Sequence, residues 1–333
     1  MPIDYKSSGV NLDAADNSLT RIKALVKTTR TSQVVGDVGL FAGAFRLPEG
    51  KAHPILMAST DGVGTKLRVA MMAGKYDTVG EDLVNHCVND LLANGAEPLF
   101  FMDYYGCGRL DPEVQEEVIK GLVRGCRNNG VALLGGETAE MPGFYGDDEF
   151  DLVGSIVGWS SEEDMILGKD IKPGDVILGL PGNGLHTNGY SLARKVIFEH
   201  AGLKVDQFVD ELGGTMGDAL LAVHPSYLEV VRAIRKEVTI KGIGHITGGG
   251  IEGNLNRVLP EGCKLKIDYG SWDVPPIFNL IQKLGPVDPQ EMKRVFNLGV
   301  GMAMVLDKAE ALQIRDKVFA GYRLFNVGEI HKS

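Results

Sequence analysis

The sequence predicts an α/β protein of two domains. Short apolar segments of strand length alternate with segments whose apolar residues recur at helical spacing. Several strand segments run into loops that combine glycines with carboxylates, hydroxyls or an imidazole. A chain of 333 residues exceeds what one hydrophobic core usually supports. Because the composition becomes polar near residues 169–174, we expect domains 1–168 and 169–333.

The composition argues against several classes of protein. A net charge of −10 does not suit a nucleic-acid surface, which needs clustered positive charge. No apolar run approaches the roughly 18 residues that span a bilayer, and the first residues lack the apolar core of a signal peptide. The four cysteines form no C-x-x-C pair, so neither a zinc site nor a disulfide framework is indicated. We therefore expect a cytoplasmic protein without nucleic-acid or membrane partners.

Ahead of the first predicted strand, residues 1–20 are polar and irregular. Residues 19–27 fit a short amphipathic helix that carries Lys23. Basic residues on such a segment can cover a phosphate or be solvated. The glycine-rich loop 36–43 shows no clear set of donors.

The first strong signal is the stretch 59–66, Ser-Thr-Asp-Gly-Val-Gly-Thr-Lys, which follows the apolar segment 54–58. The segment predicts a buried strand and the stretch predicts a turn. Its glycines let backbone N–H groups approach an anion. Asp61 can ligate a divalent metal, and Lys66 can meet a phosphate as a point charge. A merely polar turn is the alternative, and the chain contains no Walker A motif.

Residues 77–94 are predicted to be helical because their apolar residues form one stripe. Asp90 lies at the edge of that stripe beside His86, where a carboxylate needs a metal or a hydrogen-bonding partner. A strand over 99–104 and a helix from Asp111 to Asn129 follow, with Asp111 as N-cap. The strand 131–134 then leads into the loop 135–143, and 151–159 is another strand.

The second half repeats this arrangement. A strand over 175–180 leads into the loop 181–189, which contains His186, Thr187 and Asn188. The later loop 244–253 formally matches the dinucleotide pattern G-x-G-x-x-G, which leaves a Rossmann phosphate turn open. Strands over 264–267, 302–306 and 323–330 complete the half.

Five motifs in this order resemble the phosphoribosylformylglycinamidine cyclo-ligases, also called aminoimidazole ribonucleotide synthetases. The resemblance covers about residues 5–330. The motifs are Asp61-Gly62-Val63-Gly64-Thr65-Lys66, Asn89-Asp90, the run Gly135-Gly136-Glu137-Thr138-Ala139-Glu140-Met141-Pro142, the run from Gly184 to Ser191, and Ile246-Thr247-Gly248-Gly249-Gly250.

This resemblance implies an ATP-dependent cyclo-ligase of purine synthesis. ATP would activate the formyl oxygen of formylglycinamidine ribonucleotide as a phosphate ester, and the amidine nitrogen would then close the imidazole ring. Such phosphoryl transfer depends mainly on positioning and charge neutralisation. A monovalent cation such as K⁺ could assist.

The resemblance also implies a set of site residues. Mg²⁺ would be held against ATP by Asp61, Asp90 and Glu137. The other ATP contacts would be Lys23, Gly62, Gly64, Thr65 and Lys66. His186 and Lys66 would be catalytic, although polarising the substrate and moving a proton remain equally open roles for His186. The substrate's own phosphate would be bound by Thr187, Asn188, Gly248, Gly249 and Gly250.

The implied fold has two α/β domains, an N-terminal one for ATP binding and dimerisation and a C-terminal one for substrate. The N-terminal domains of a homodimer would build a barrel-like sheet together. Leu40 and Ala42 stand where the family commonly has glycines, which puts a phosphate contact from the loop 36–43 in doubt.

Three other functions remain as alternatives. Thiamine-phosphate kinase shares the implied architecture, but its family lacks the Gly-Glu-Thr-Ala-Glu-Met-Pro run of residues 136–142. A nicotinamide oxidoreductase would rest on Gly248 to Gly253 and Asp268. A nucleotide-binding protein without catalysis would keep the loops and fail to turn over ATP.

Overall fold

The computed structural model describes residues 21–35, 44–50 and 54–333. The predictions for residues 1–20 and for the loop 36–43, with Leu40 and Ala42, lie outside these ranges. The described chain forms two compact units. Unit 1 ends at Glu162 and excludes Leu92–Ala96, which belong with Glu163–Ser333 in unit 2. The α/β class is confirmed, while the division at residues 168 and 169 stays a prediction.

The elements up to residue 160 lie mainly in unit 1. They are α1 (21–27), β1 (Val34–Val35), β2 (Ala44–Phe45), β3 (Ile55–Gly62), α2 (Lys66–Ala73), α3 (Asp77–Ala93), β4 (Glu97–Cys107), α4 (Pro112–Asn129), β5 (Ala132–Glu140) and β6 (Phe150–Ser160).

Unit 1 contains a four-stranded sheet in the order β3-β6-β4-β5. Strands β4 and β5 are parallel, and the other two pairings are antiparallel. Burial alternates along β6, as expected for a sheet with one face covered. Leu83 of α3 lies against Gly154 on the covered face. The other face exposes Leu56 by 55% and Met102 by 41%.

Helices α3 and α4 pack closely because glycines occupy their contact. A Cβ at Gly80 would meet the backbone of α4, and a Cβ at Gly121 would meet the carbonyl of Asp77. The predicted start of α4 is confirmed, since the Asp111 side chain accepts hydrogen bonds from two backbone N–H groups of the first turn. The helix ends at Gly130, whose φ of 66° is in the left-handed region.

Two predicted turns are wrong, because their residues continue the strands. Strand β3 runs through Asp61 to Gly62, and β5 runs through Glu137 to Glu140. The glycines favour turns locally, but ladders with β6 and β4 satisfy the backbone of these residues. The turn after β3 is therefore limited to residues 63–65.

The remaining elements form unit 2. They are β7 (Val176–Pro181), α5 (Tyr190–Arg194) with a π-helical continuation (Lys195–His200), β8 (Phe208–Val209), a 3₁₀ turn (Asp210–Leu212), β9 (Gly214–Thr215), α6 (Met216–Leu220), α7 (Leu228–Arg235), β10 (Ile240–His245), α8 (Gly250–Leu255), a 3₁₀ turn (Asn256–Val258), β11 (Cys263–Ile267), α9 (Pro276–Leu284), α10 (Pro289–Val295), β12 (Val300–Leu306), α11 (Lys308–Ile314), β13 (Val318–Phe319), β14 (Tyr322–Arg323) and β15 (Phe325–Lys332).

The sheet of unit 2 has five strands in the order β10-β12-β7-β15-β11, and every neighbouring pair is antiparallel. All residues of β12 are buried, so both faces of this strand are covered. The Rossmann interpretation of residues 248–253 is wrong, because β10 and β11 lie at opposite edges of the sheet rather than side by side and parallel. Across the described ranges, no helix combines the length and apolarity needed to cross a bilayer.

The close packing of the unit 1 sheet generates a stability prediction. A Cβ at Gly154 would collide with the Phe101 ring and with Leu83, whereas a Cβ at Gly135 would meet nothing within 4 Å. We expect Gly154→Ala to lower the free energy of unfolding by about 1–3 kcal/mol through overpacking. Gly135→Ala, in the same sheet, is the matched control with little change. Urea unfolding followed by circular dichroism measures both, and equal stability of the two variants would contradict the packing.

Candidate functional site

The carboxylates Asp61 and Asp90 meet at a buried histidine of unit 1. Asp61 is the penultimate residue of β3, and its Oδ2 lies 2.6 Å from Nε2 of His86 on α3. Asp90 follows one helical turn after His86, with its Oδ2 3.9 Å from the same nitrogen. The Ser59 hydroxyl donates to Asp90 at 3.0 Å. The predicted position of Asp90 beside His86 is thereby confirmed.

Electrostatics favour a charged imidazole between these carboxylates. His86 is only 3% exposed, and burial alone would lower its pKa. The hydrogen bond to Asp61 and the charges of Asp90 and Asp61 outweigh burial, so the pKa of His86 is raised. Burial would raise the pKa of Asp61, but its contacts with His86 reverse this and lower it. The two shifts have the directions expected of an ion pair between His86 and Asp61.

This donor set fits a divalent cation such as Mg²⁺. Two carboxylates and the Ser59 hydroxyl are hard oxygen ligands of the kind Mg²⁺ prefers. The Asp61 side chain is 44% exposed, so a metal can reach it from solvent. His86 offsets the repulsion between the carboxylates, and a dication would offset it as well.

The turn after β3 carries the predicted phosphate-binding glycines. Gly62 ends the strand, and its N–H donates to Asp61 Oδ1 at 2.7 Å. Gly64 adopts a φ of 58°, a conformation that glycine reaches without strain. Gly64 and Thr65 are exposed, and Thr65 precedes α2 without capping it through its side chain. The turn therefore lies at the surface, directly ahead of the first turn of α2.

Lys66 points into the interior rather than to the turn. It is 0% exposed, and its Nζ lies 2.7 Å from Oδ2 of Asp82, which is equally buried. Burial lowers the pKa of Lys66, and the Asp82 charge opposes that effect. The ammonium links the start of α2 to α3. The structure therefore gives no support to a direct phosphate contact from Lys66.

Glu137 and Lys23 lie apart from the Asp61–Asp90 pair. In the ladders, Asp61 pairs with Gly154, Gly154 with Asp103, and Asp103 with Gly136. Glu137 is therefore three strand spacings from β3, about 14 Å at ~4.8 Å per strand. Lys23 lies in α1 and is partly exposed. Among the described residues, Asp61 groups with His86 and Asp90, and Glu137 does not join them within one chain.

In unit 2, His186 stands at the centre of a buried cluster. It is 1% exposed and has a φ of 60°, which is unusual for a residue with a side chain. Its ring stacks on His224 with centroids 4.2 Å apart. A Cβ at Gly182 would lie 2.9 Å from His186 Nε2, and a Cβ at Gly301 would lie 2.8 Å from its Cε1. Two glycines thus provide the space for this ring.

The predicted substrate loops of unit 2 lie side by side. Asn188 Nδ2 donates to Thr187 Oγ1 at 3.3 Å, and a Cβ at Gly248 would lie 3.5 Å from Asn188 Oδ1. Gly249 and Gly250 have φ values of 100° and 66°, so both positions favour glycine. The structure therefore brings Thr187, Asn188 and the glycines 248–250 together, as the sequence suggested.

Three residues of this cluster had no role predicted from the sequence. His224 and His245 contact each other through their Nε2 atoms at 3.1 Å. The Asn254 amide donates to the carbonyl groups of residues 247, 248 and 250 and so holds the glycine turn. His245 directly precedes a recognised motif, a signal that could have found it. His224 carries no such signal.

The comparisons with known proteins agree with this architecture. Residues 41–160 match the domain family described as AIR synthase related protein, N-terminal domain. Residues 172–333 match the family described as AIR synthase related protein, C-terminal domain. The phosphoribosylformylglycinamidine cyclo-ligase of Thermoanaerobacter sp. (strain X514) is 48% identical over 99% of this chain and 98% of its own. That of Thermodesulfovibrio yellowstonii is 46% identical over 100% and 97%.

Solved structures of more distant proteins share the fold. Thiamine-monophosphate kinase from Stenotrophomonas maltophilia K279a superposes with a TM-score of 0.67 at 14% identity, covering 95% of this chain and 94% of its own. Hydrogenase maturation protein HypE in complex with ATP gives a TM-score of 0.63 at 18% identity, covering 92% and 84%. At such identities the likeness concerns the fold alone.

The buried Lys66–Asp82 pair generates a prediction that separates a structural from a ligand-binding role. Lys66→Met leaves a buried carboxylate without its cation, and we expect the free energy of unfolding to fall by about 3–5 kcal/mol. Adding Asp82→Leu should restore much of that loss, since the carboxylate that lost its ammonium partner is then absent. Lys120→Met, which removes an exposed lysine with two glutamate partners, is the control with little effect. Urea unfolding measures all three, and an unchanged stability of Lys66→Met would refute the structural role.

Proposed function

Since the chain belongs to the AIR synthase related family, we propose how its residues carry out the cyclo-ligase reaction. Near-full-length identity of 46–48% to phosphoribosylformylglycinamidine cyclo-ligases identifies the protein as an ATP-dependent ligase of purine biosynthesis. It converts formylglycinamidine ribonucleotide and ATP into 5-aminoimidazole ribonucleotide, ADP and phosphate. Phosphorylation of the formyl oxygen makes it a leaving group, and attack by the amidine nitrogen closes the ring.

Unit 1 binds ATP in this proposal. The observation that carries it is the meeting of Asp61 and Asp90 beside an exposed glycine turn that follows a strand. Asp61 and Asp90 would hold Mg²⁺, which neutralises charge on the phosphates when it is bound. The N–H groups of Gly64 and Thr65 lie in the turn and would donate to phosphate oxygens, whereas the Gly62 N–H donates to the Asp61 carboxylate.

His86 and Lys66 act on this site through position. His86 holds the Asp61 carboxylate at 2.6 Å and fixes its orientation. Lys66 holds the first turn of α2 against α3 through Asp82, so we assign it a positioning role. Lys23 as an ATP contact, Glu137 as a metal ligand and K⁺ as a helper cation stay predictions from the family resemblance.

Unit 2 binds the ribonucleotide substrate in this proposal. Thr187, Asn188 and the turn 248–250 present a hydroxyl, an amide and backbone N–H groups within one loop cluster. Such neutral donors suit a phosphate monoester. His186 lies behind this surface in a strained backbone conformation, which is typical of functional positions. We retain it as the residue that polarises the substrate or moves a proton.

We further propose that the protein is a cytoplasmic homodimer. The face of the unit 1 sheet opposite α3 exposes Leu56 and Met102, which are large apolar side chains. A second copy of the chain presents the same apolar face and would cover it. This pairing corresponds to the barrel-like sheet that the family resemblance implies.

The experiment that tests the function is a coupled measurement of products. Purified protein is mixed with Mg²⁺, ATP and formylglycinamidine ribonucleotide, and ADP and aminoimidazole ribonucleotide are quantified. Equal amounts of both products, with no ADP release when the ribonucleotide is omitted, are expected. ADP release with thiamine phosphate instead would favour the kinase alternative, and no turnover with either substrate would contradict the assignment.

Removal of the Asp61 carboxylate should abolish metal-dependent turnover. We expect Asp61→Asn to lower kcat/KM by at least about 100-fold, because a neutral amide is a poor Mg²⁺ ligand. Excess EDTA should have the same effect on the unaltered protein. Asp147→Asn changes an exposed carboxylate of the same unit and serves as the control. If Asp61→Asn kept full activity and full Mg²⁺ dependence, Asp61 would not be a ligand.

Charging the sheet face opposite α3 should separate the dimer. We expect Met102→Asp together with Leu56→Asp to convert the dimer to monomer, since burying two carboxylates in an apolar interface is costly. Sedimentation velocity measures the mass of each species. Phe208→Asp alters a side chain of unit 2 that is 61% exposed and should leave the dimer intact. A monomeric unaltered protein would refute the proposed pairing.

A further inference from the structure

The turn between α10 and β12 has an unusual backbone. Its two central residues, Leu298 and Gly299, have φ values of 49° and 92°, and the Val300 N–H closes the turn by donating to the Asn297 carbonyl at 3.0 Å. A positive φ is costly for a leucine. The Leu298 carbonyl is held by the indole N–H of Trp272 at 2.9 Å. Strain of this kind persists only where the surroundings fix it, and it is concentrated at functional positions.

The side chain of Asn297 joins this turn to the loop that carries His186. Asn297 is 4% exposed. Its Oδ1 accepts from the Gly299 N–H at 2.8 Å, and its Nδ2 donates to the Gly184 carbonyl at 2.9 Å. A backbone N–H only donates and a carbonyl only accepts, so the two partners fix the orientation of the amide. Asn297 therefore holds the backbone two residues ahead of His186.

The same segment also shapes the space that the His186 ring fills. The carbonyl of Gly299 accepts from the Gly182 N–H at 2.8 Å, and Gly182 lies against Nε2 of the ring. Gly301 lies against Cε1 on the other side. We call residues 297–301 the Asn297 turn. It provides one wall of the space around the ring and holds the other.

The Asn297 turn contacts the second substrate loop as well. The N–H of Ile246 donates to the Gly301 carbonyl at 3.1 Å, and Ile246 directly precedes Thr247 and the glycine turn 248–250. Both loops that bind the ribonucleotide in the proposed function are thus bonded to one short segment. Their placement relative to each other depends on that segment.

We propose that Asn297 is a positioning residue of the ribonucleotide site and sets the orientation of the His186 imidazole through the Gly184 carbonyl. The inference rests on the proposed function, in which His186 acts on the ribonucleotide. Asn297 is buried and both of its side-chain hydrogen bonds go to backbone groups, so it acts through His186 and not on the substrate. Without its amide, the loop can relax from the conformation that holds His186 at a φ of 60°.

The first test observes the His186 ring and does not depend on turnover. The full chain is labelled with ¹³C at histidine, and the Cε1–H signal of His186 is assigned by its loss in His186→Asn. Stacking on His224 shifts this signal upfield in the unaltered protein. We expect Asn297→Ala to move it downfield, toward its position in the unfolded chain. A signal that stays in place would overturn the proposal.

The control for this test lowers stability without altering the Asn297 turn. Ile314 is fully buried in α11, and Ile314→Val removes one methylene from its side chain. We expect this variant to unfold at a lower urea concentration and to keep the His186 signal in place. A shift of the same size in Ile314→Val would show that the signal reports general loosening of unit 2, which would overturn the positioning role.

The second test asks whether Asn297 acts through His186. We expect Asn297→Ala to lower kcat by about 10- to 100-fold, because displacing a reacting group by about 1 Å has an effect of this order. The KM for ATP should not change, since unit 1 binds ATP in the proposed function. In a His186→Asn background, where asparagine tolerates the positive φ, the same change should alter kcat by less than about twofold. Equal losses in both backgrounds would overturn the proposal.

A further variant keeps the test decisive if Asn297→Ala folds poorly. Asn297→Asp retains the acceptor for the Gly299 N–H but replaces the donor to Gly184 with an oxygen that its carbonyl repels. We expect the same downfield shift and a similar loss of kcat. Full kcat in Asn297→Asp would overturn the positioning role. Failure of the unaltered protein to form aminoimidazole ribonucleotide would instead overturn the proposed function, and the His186 signal would still test the orientation of the ring.

Discussion

The buried ion pair between Lys66 and Asp82 is the interaction on which the unit 1 site depends. Lys66 is the first residue of α2, and Asp82 lies in the second turn of α3. Neither side chain reaches solvent, and the opposite charge of the partner offsets part of the cost of burying each one. The pair therefore fixes the helix that follows the glycine turn against the helix that carries His86 and Asp90. The arrangement of the Asp61 and Asp90 carboxylates thus depends on a buried charge pair.

In unit 2, the position of the buried polar cluster depends on small residues that leave space for its rings. Gly182 and Gly301 leave the space that the His186 ring fills. The His186 backbone is held in the left-handed region, a conformation that a side chain makes costly. Compensation comes from the stacking of its ring on His224. A packed interior, rather than the loop itself, therefore positions the imidazole.

Much of the architecture follows from local patterns in the sequence. The apolar stripe of α3, the Asp111 cap of α4 and most strands of the two sheets lie close to their predicted positions, because periodicity and capping act within a few residues. Strand β10 was not predicted. The neighbourhood of Asp90 and His86 was also predictable, since residues four apart share a helix face. The grouping of Thr187 and Asn188 with the glycines 248–250 came from the family resemblance and not from periodicity.

The sequence by itself determined the α/β class, helices such as α3 and α4, and the residue types at each loop, since these depend on local preferences. Only the tertiary structure decided that Asp61 lies in a strand, that Lys66 is buried, and that Glu137 occupies the far edge of the sheet. It also decided the contact of His224 with His245, which are 21 positions apart. Strand order and side-chain pairing depend on interactions between distant segments, which together minimise the free energy of the whole fold. A short window of sequence does not contain those interactions.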